Sequence, residues 1–158
     1  SLSWSRMAAL FTFLSGVLLM FGSGEASGGL SLDIAVGALL GTLMFLNVWF
    51  VIWPTHRIAC GLAVGDAAVA GPRAQLASRT NVVFSLAMLL FMVSAAHLPG
   101  VALRDAGQMA LEAVVVIVGV VEANAIRGRI WPPMLTVRGL AGCAAGFALL
   151  LWTIVRLA

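Results

Sequence analysis

Residues 34–53 read IAVGALLGTLMFLNVWFVIW, a run of 20 positions without a charged side chain. A helix of about 20 apolar residues matches the hydrocarbon core of a bilayer, which is about 30 Å thick. The run is followed by Pro54, which cannot continue a regular helix interior. The stretch therefore predicts a transmembrane helix that ends at this proline.

Four further apolar runs lie on either side of this one, and prolines at residues 99, 132 and 133 mark ends of the later runs. Together they predict an all-α integral membrane bundle of five transmembrane helices in a single domain, residues 1–158. The predicted spans are residues 7–22, 34–53, 81–97, 109–126 and 139–155. The first run, with its small and polar exit at 22–29, also fits a signal peptide.

Composition excludes most soluble classes of protein. The chain is 62% hydrophobic and 9% charged, whereas a soluble domain carries about 25% charged residues. The positive charge comes from nine arginines that stand singly or in small groups beside apolar runs, so we expect no nucleic-acid partner. Cys60 and Cys143 lack any CxxC or CxxCH context, which predicts no zinc site and no covalently attached haem.

The arginines also predict an orientation. With a cytoplasmic N-terminus only Arg104 and Arg156 lie outside, and the other seven lie inside. Glu25 and Asp33 then fall in an outer loop without a compensating base. The longest connection, residues 54–79, is expected to carry a short interfacial helix near residues 58–64.

Two histidines are candidates for binding a cofactor. His56 follows the second span and His97 ends the third, so the predicted topology places them at opposite faces, and one haem iron cannot bind both. Each could singly ligate a metal or pigment, or bind a quinone carbonyl. The alternative for each is an interfacial histidine that caps a helix end.

Glu112 and Glu122 lie within the fourth predicted span. Ten residues separate them, which is about 80° around a helix and about 15 Å along it, too far for one carboxylate pair. Ionisable groups in a span suggest a proton relay or an ion pair to another helix. The alternative is that both reach a surface, with Glu122 near Arg127 and Arg129.

Other features of the spans suggest helix packing. Asn47 is an intramembrane amide that needs an interhelical partner, and the Gly37/Gly41 and Gly142/Gly146 pairs have the GxxxG spacing of closely packed helices. Nucleotide-binding, GxSxG and HExxH motifs are absent from the sequence, so no catalytic residue is predicted.

Residues 41–54 (GTLMFLNVWFVIWP), 77–81 (ASRTN), 84–92 (FSLAMLLFM) and 96–99 (AHLP) resemble the N-terminal membrane domain of the bacterial cytochrome-c-type urate oxidases. The positions that match the family pattern are Asn47, Pro54, Asn81, Met92, His97 and Pro99. The resemblance covers roughly residues 35–125. The family domain is longer, carries histidines in early spans that are missing here, usually has an amide in place of His56, and is followed by a cytochrome c domain with CxxCH that this sequence lacks.

The resemblance implies a bacterial inner-membrane protein among redox partners. The first hypothesis is an accessory subunit of a larger oxidoreductase or electron-transfer complex, which contacts lipids and other membrane subunits and shapes a quinone or lipid site. The second is a urate-oxidase-like component that contributes a haem or substrate site through Asn81 and His97. A third is a small proton or solute transporter that uses Glu112 and Glu122.

Overall fold

The computed structural model describes residues 2–26 and 30–157. Its helices are α1 (Leu2–Ala26), α2 (Leu32–Leu46), a π-helical segment (Asn47–Ile52), α3 (Trp53–Ala59), α4 (Ala67–His97), α5 (Gln108–Arg127) and α6 (Val137–Arg156), with short 3-10 turns at Leu103–Asp105 and Pro132–Leu135. The α2, π-helical and α3 segments form one continuous helix, Leu32–Ala59. Within the described ranges, five helices are long and apolar enough to cross a membrane, which confirms the predicted all-α architecture.

The prediction that the second span ends at Pro54 is wrong, because the helix continues to Ala59. Pro54 is the second residue after the π-helical segment, and the N–H of Trp53 just before it donates to the carbonyl of Val48, five residues earlier. A proline is tolerated there because the regular i→i−4 ladder that it would interrupt has already been shifted.

The connection predicted for residues 54–79 is also much shorter in the structure. The α4 helix begins at Ala67, where the carboxylate of Asp66 accepts a hydrogen bond of 2.9 Å from the Ala68 N–H. Pro72 lies inside this helix, within its first two turns. The predicted interfacial helix near residues 58–64 is therefore wrong, because α3 occupies its start and the chain then turns through Gly61 and Gly65, both at positive φ.

The α4 helix lies at the centre of the bundle and packs against α2, α3, α5 and α6. Its buried aromatic residues Phe84 and Phe91 meet Leu40 of α2, Val118 of α5 and Leu151 of α6 in one hydrophobic core. At 31 residues, α4 is also the longest helix described.

The two glycine pairs have different surroundings. A Cβ at Gly37 would lie 3.7 Å from the Cβ of Phe91, and one at Gly41 would lie 3.3 Å from the sulfur of Met88, so this pair lets α2 approach α4. A Cβ at Gly142 or Gly146 of α6 would meet no described atom within 4 Å. The second pair is therefore not used for packing within the described chain.

The α1 helix lies at the edge of the bundle. The guanidinium of Arg6 lies 4.6 Å from the ring centre of Trp49 and 4.2 Å from that of Trp53. About two turns after Arg6 on α1, Phe13 stacks on Phe45 of α2 at 4.6 Å between ring centres. Cation–π and ring contacts therefore attach α1 to the continuous helix, while most of its large apolar side chains stay exposed.

The alternation of helix direction sorts the arginines between two ends of the bundle. Seven lie at the end formed by the starts of α1, α4 and α6 and the ends of α3 and α5: Arg6, Arg57, Arg73, Arg79, Arg127, Arg129 and Arg138. We call this the basic end. Arg104 and Arg156 lie at the opposite end.

Candidate functional site

A polar cluster joins three helices near the basic end. The Nδ2 of Asn47 donates to the Oδ1 of Asn81 at 3.0 Å and to the Oε2 of Glu122 at 2.9 Å. Asn47 is only 1% exposed, while Asn81 and Glu122 are half-buried. We call these three residues the amide–carboxyl cluster, and it ties the π-helical segment to α4 and α5.

The π-helical segment positions this cluster. Asn47 is its first residue, and the Nδ2 of Asn81 donates to the carbonyl of Met44, one turn before it, at 3.1 Å. The Oδ1 of Asn47 is buried and has no hydrogen-bond partner among the described residues. Because π-helical turns inside α-helices are frequent at functional sites, the cluster is the strongest candidate site within the helices that are long and apolar enough to cross a membrane.

The two glutamates of α5 have unrelated surroundings. Glu122 accepts a hydrogen bond from Asn47 in the amide–carboxyl cluster, and among the described residues it forms no ion pair with the arginines at residues 127 and 129 that one sequence interpretation placed beside it. Glu112 is exposed near the other end of α5 and accepts a hydrogen bond of 2.9 Å from the Nε2 of Gln108. The fold therefore does not bring the two carboxylates together.

The histidines are also far apart. His56 borders a groove of about 450 Å³ that Arg79 of α4 also lines. His97 is the last residue of α4, and its Nδ1 lies 3.1 Å from the carbonyl of Val93. Arg79 and His97 are separated by about 27 Å along the helix, so a haem iron ligated by both histidines does not fit.

The resemblance pairs Asn81 with His97 as the residues that matter most for a bound ligand. Both are on α4, but their positions differ by about 24 Å along the helix axis. His97 is exposed at the opposite end from the amide–carboxyl cluster. These two residues therefore belong to different parts of the protein.

Sequence reasoning missed a second polar constellation, which is centred on Asp33. An amino group of Arg156 lies 3.0 Å and 3.1 Å from the two carboxylate oxygens of Asp33, whose side chain is 1% exposed. The same guanidinium donates to the hydroxyl of Ser94 and to the carbonyl of Pro99, the latter at 2.7 Å, and the indole of Trp152 donates to Ser94 at 3.1 Å.

The expectation that Asp33 lies in an outer loop without a compensating base is wrong. Asp33 is in the first turn of α2, where its charge also suits the helix N-terminus, and α6 brings Arg156 to it. The signal was present, because the predicted topology placed both residues at the same face. It was not decisive, because sequence alone does not tell which helices are neighbours.

The ion pair lies beneath a short loop that closes the opposite end. The Leu32 N–H donates to the carbonyl of Val101 at 2.8 Å, and the Leu103 N–H donates to that of Leu30 at 2.9 Å. A Cβ at Gly100 would lie 3.1 Å from a carboxylate oxygen of Asp33. The loop therefore covers the carboxylate, and its close approach depends on the glycine.

Comparison with models of known protein families identifies the family to which this chain belongs. A model described as urate oxidase N-terminal matches residues 26–129, about two-thirds of the sequence. The chain belongs to the urate oxidase N-terminal family. The resemblance noted in the sequence is thereby confirmed, and the whole amide–carboxyl cluster lies inside the matched region.

Comparison with curated proteins and with solved structures gave no match. The region matched to the urate oxidase N-terminal family ends before α6, which supplies Arg156. The ion pair with Asp33 therefore joins a residue inside the matched region to one outside it.

Proposed function

We propose that this chain is an accessory membrane subunit that packs against another membrane-embedded chain of an oxidoreductase or electron-transfer assembly. Membership of the urate oxidase N-terminal family supports a membrane component related to urate-oxidase-like proteins. The proposed membrane is the bacterial inner membrane, with the basic end and the N-terminus in the cytoplasm, because cytoplasmic ends carry an excess of arginine.

The observation that carries the proposal is the open glycine pair of α6. Gly142 and Gly146 have the spacing that lets two helices approach closely, yet nothing in the described chain occupies the space beside them. Ala141 and Ala145 extend the same exposed strip. Small residues are typical of helix–helix contacts in membranes, where association depends on close packing rather than on the hydrophobic effect.

The other glycine pair shows what an occupied contact looks like in this protein. Gly37 and Gly41 are covered by Phe91 and Met88 of α4. The strip on α6 is equally small but uncovered, so it fits a helix from a second chain.

The test is co-purification from the native membrane. We expect the wild-type chain, extracted in mild detergent, to retain membrane redox subunits in fixed stoichiometry by mass spectrometry. Gly142→Leu/Gly146→Leu should reduce their recovery by about tenfold, equivalent to about 1.4 kcal/mol, because the leucines keep a partner helix away.

The matched control is Gly16→Leu on α1, which also adds an isobutyl group to an open, exposed helical glycine. It should leave both recovery and thermal stability unchanged. Recovery of the wild-type chain alone, or equal loss of subunits in the control, would count against the proposal.

A second candidate function is favoured by the unpartnered Oδ1 of Asn47. An acceptor buried without a partner suits a ligand that donates a hydrogen bond, so the amide–carboxyl cluster is a candidate site for a substrate or redox cofactor. If the ligand is a redox cofactor, the chain purified by itself should carry a chromophore. We expect its visible absorption band to be lost in Asn81→Leu and kept in Gly16→Leu. A colourless wild-type preparation, or a band unchanged in Asn81→Leu, would exclude a coloured redox cofactor at this cluster.

A further inference from the structure

A groove at the basic end combines positive charge with apolar walls. It lies between the start of α4 and the end of α5 and has a volume of about 520 Å³. Arg73, Arg127 and Arg129 line it, and apolar side chains that include Leu76 and Ile126 form its walls. The volume is within the range of small-ligand sites in proteins.

The three arginines of the groove have no carboxylate partner. In residues 2–26 and 30–157, the ion pairs are Arg104–Asp105 and Arg156–Asp33, and both lie at the opposite end. The nearest acidic groups along the chain have other roles, since Asp66 caps α4 and Glu122 accepts from Asn47. The groove therefore has positive charge that the described chain does not neutralise.

The backbone around the arginines is held in place. The Asn124 Oδ1 accepts from the Arg129 N–H, and its Nδ2 donates to the Arg129 carbonyl, both at 3.3 Å. A Cβ at Gly128 would collide with the Asn124 side chain, so this turn needs a glycine. On the other side, an amino group of Arg73 lies 3.5 Å from the carbonyl of Ile126 and joins α4 to α5. The charges are thus presented by an ordered turn.

We propose that this groove is a binding site for the headgroup of an anionic phospholipid. The guanidinium groups match a phosphodiester in charge and geometry, and the apolar walls suit the first carbons of the acyl chains. Basic pockets between transmembrane helices on the cytoplasmic side bind such headgroups, and this groove lies at the end that the arginine distribution assigns to that side. Inorganic phosphate presents the same anionic oxygens to the arginines. Only a lipid also contacts the apolar walls, so the groove favours the lipid.

The experiment uses the purified full chain in a neutral detergent, titrated with phosphatidylglycerol and followed by native mass spectrometry of the lipid-bound protein. Arg127→Gln/Arg129→Gln should weaken binding by at least about tenfold. Arg127→Lys/Arg129→Lys should keep binding within about threefold of wild type, because each headgroup contact retains its charge. Because the assay uses this chain alone, its result does not depend on a partner subunit.

The matched control is Arg138→Gln, which removes an exposed arginine from the same end but outside the groove. Unchanged binding in this variant supports a specific groove. Equal weakening in Arg138→Gln, equal binding of phosphatidylcholine, or displacement of the lipid by millimolar inorganic phosphate would each overturn the proposal. Thermal unfolding of each variant separates loss of the groove from loss of the fold.

Discussion

Arg156→Met is expected to lower the free energy of unfolding by about 3–5 kcal/mol, the largest effect that we anticipate for a single substitution in this protein. Asp33 is buried, and Arg156 is its ion-pair partner. Methionine preserves much of the apolar stem but leaves the carboxylate without its counter-charge. The measurement is unfolding of the purified protein in detergent, followed by circular dichroism.

Arg104→Met is the matched control, since Arg104 lies at the same end and also contacts an aspartate, Asp105, at 3.5 Å. Both of those side chains are mostly exposed, so the loss should be below about 1 kcal/mol. Asp33→Asn combined with Arg156→Met should recover part of the stability, because no uncompensated charge remains. An equal loss of unfolding free energy in Arg156→Met and Arg104→Met would show that the buried ion pair contributes no more to stability than the exposed one.

Asn47→Leu is expected to cost about 1–3 kcal/mol of stability. The substitution removes two interhelical hydrogen bonds and leaves the Asn81 Oδ1 and the Glu122 Oε2 without their donor. The estimate is modest because single interhelical hydrogen bonds in membrane proteins contribute roughly 0.6 kcal/mol on average. The measurement is again unfolding in detergent.

A double-mutant cycle with Glu122→Leu measures the free energy of the Asn47–Glu122 hydrogen bond separately from the other effects of replacing each side chain. The two effects should be less than additive, because each single variant already breaks the bond. Glu122→Gln retains a carbonyl acceptor and should be nearly neutral. Strict additivity in the cycle would mean that the contact does not couple the two helices.

The two polar constellations have two helices in common, α4 and the continuous helix Leu32–Ala59. Asn81 and Ser94 are both on α4, the first in the amide–carboxyl cluster and the second beside the Asp33–Arg156 pair. Each constellation joins α4 to the continuous helix Leu32–Ala59 and to one further helix, α5 or α6. Damage at either end should therefore loosen contacts of the same central helix.

Local sequence patterns predicted which segments are helical better than they predicted where each helix ends. The arginine distribution correctly grouped seven residues at one end, because helix direction alternates regardless of packing. The stop at Pro54 was wrong because a proline excludes a regular α-helix, whereas the chain changes to π-helical bonding just before it. That change accompanies contacts of Asn47 with α4 and α5, which lie far away in the sequence.

The sequence alone determined that this protein is a bundle of five apolar helices, because the length and composition of each run are local properties. It also carried the resemblance to the urate oxidase N-terminal family. Only the tertiary structure decided that Asn47 meets Glu122, that Asp33 meets Arg156, and that one glycine pair is covered while the other is open. The physical reason is that these contacts depend on which helices are neighbours and on how each is rotated, and no single span contains that information.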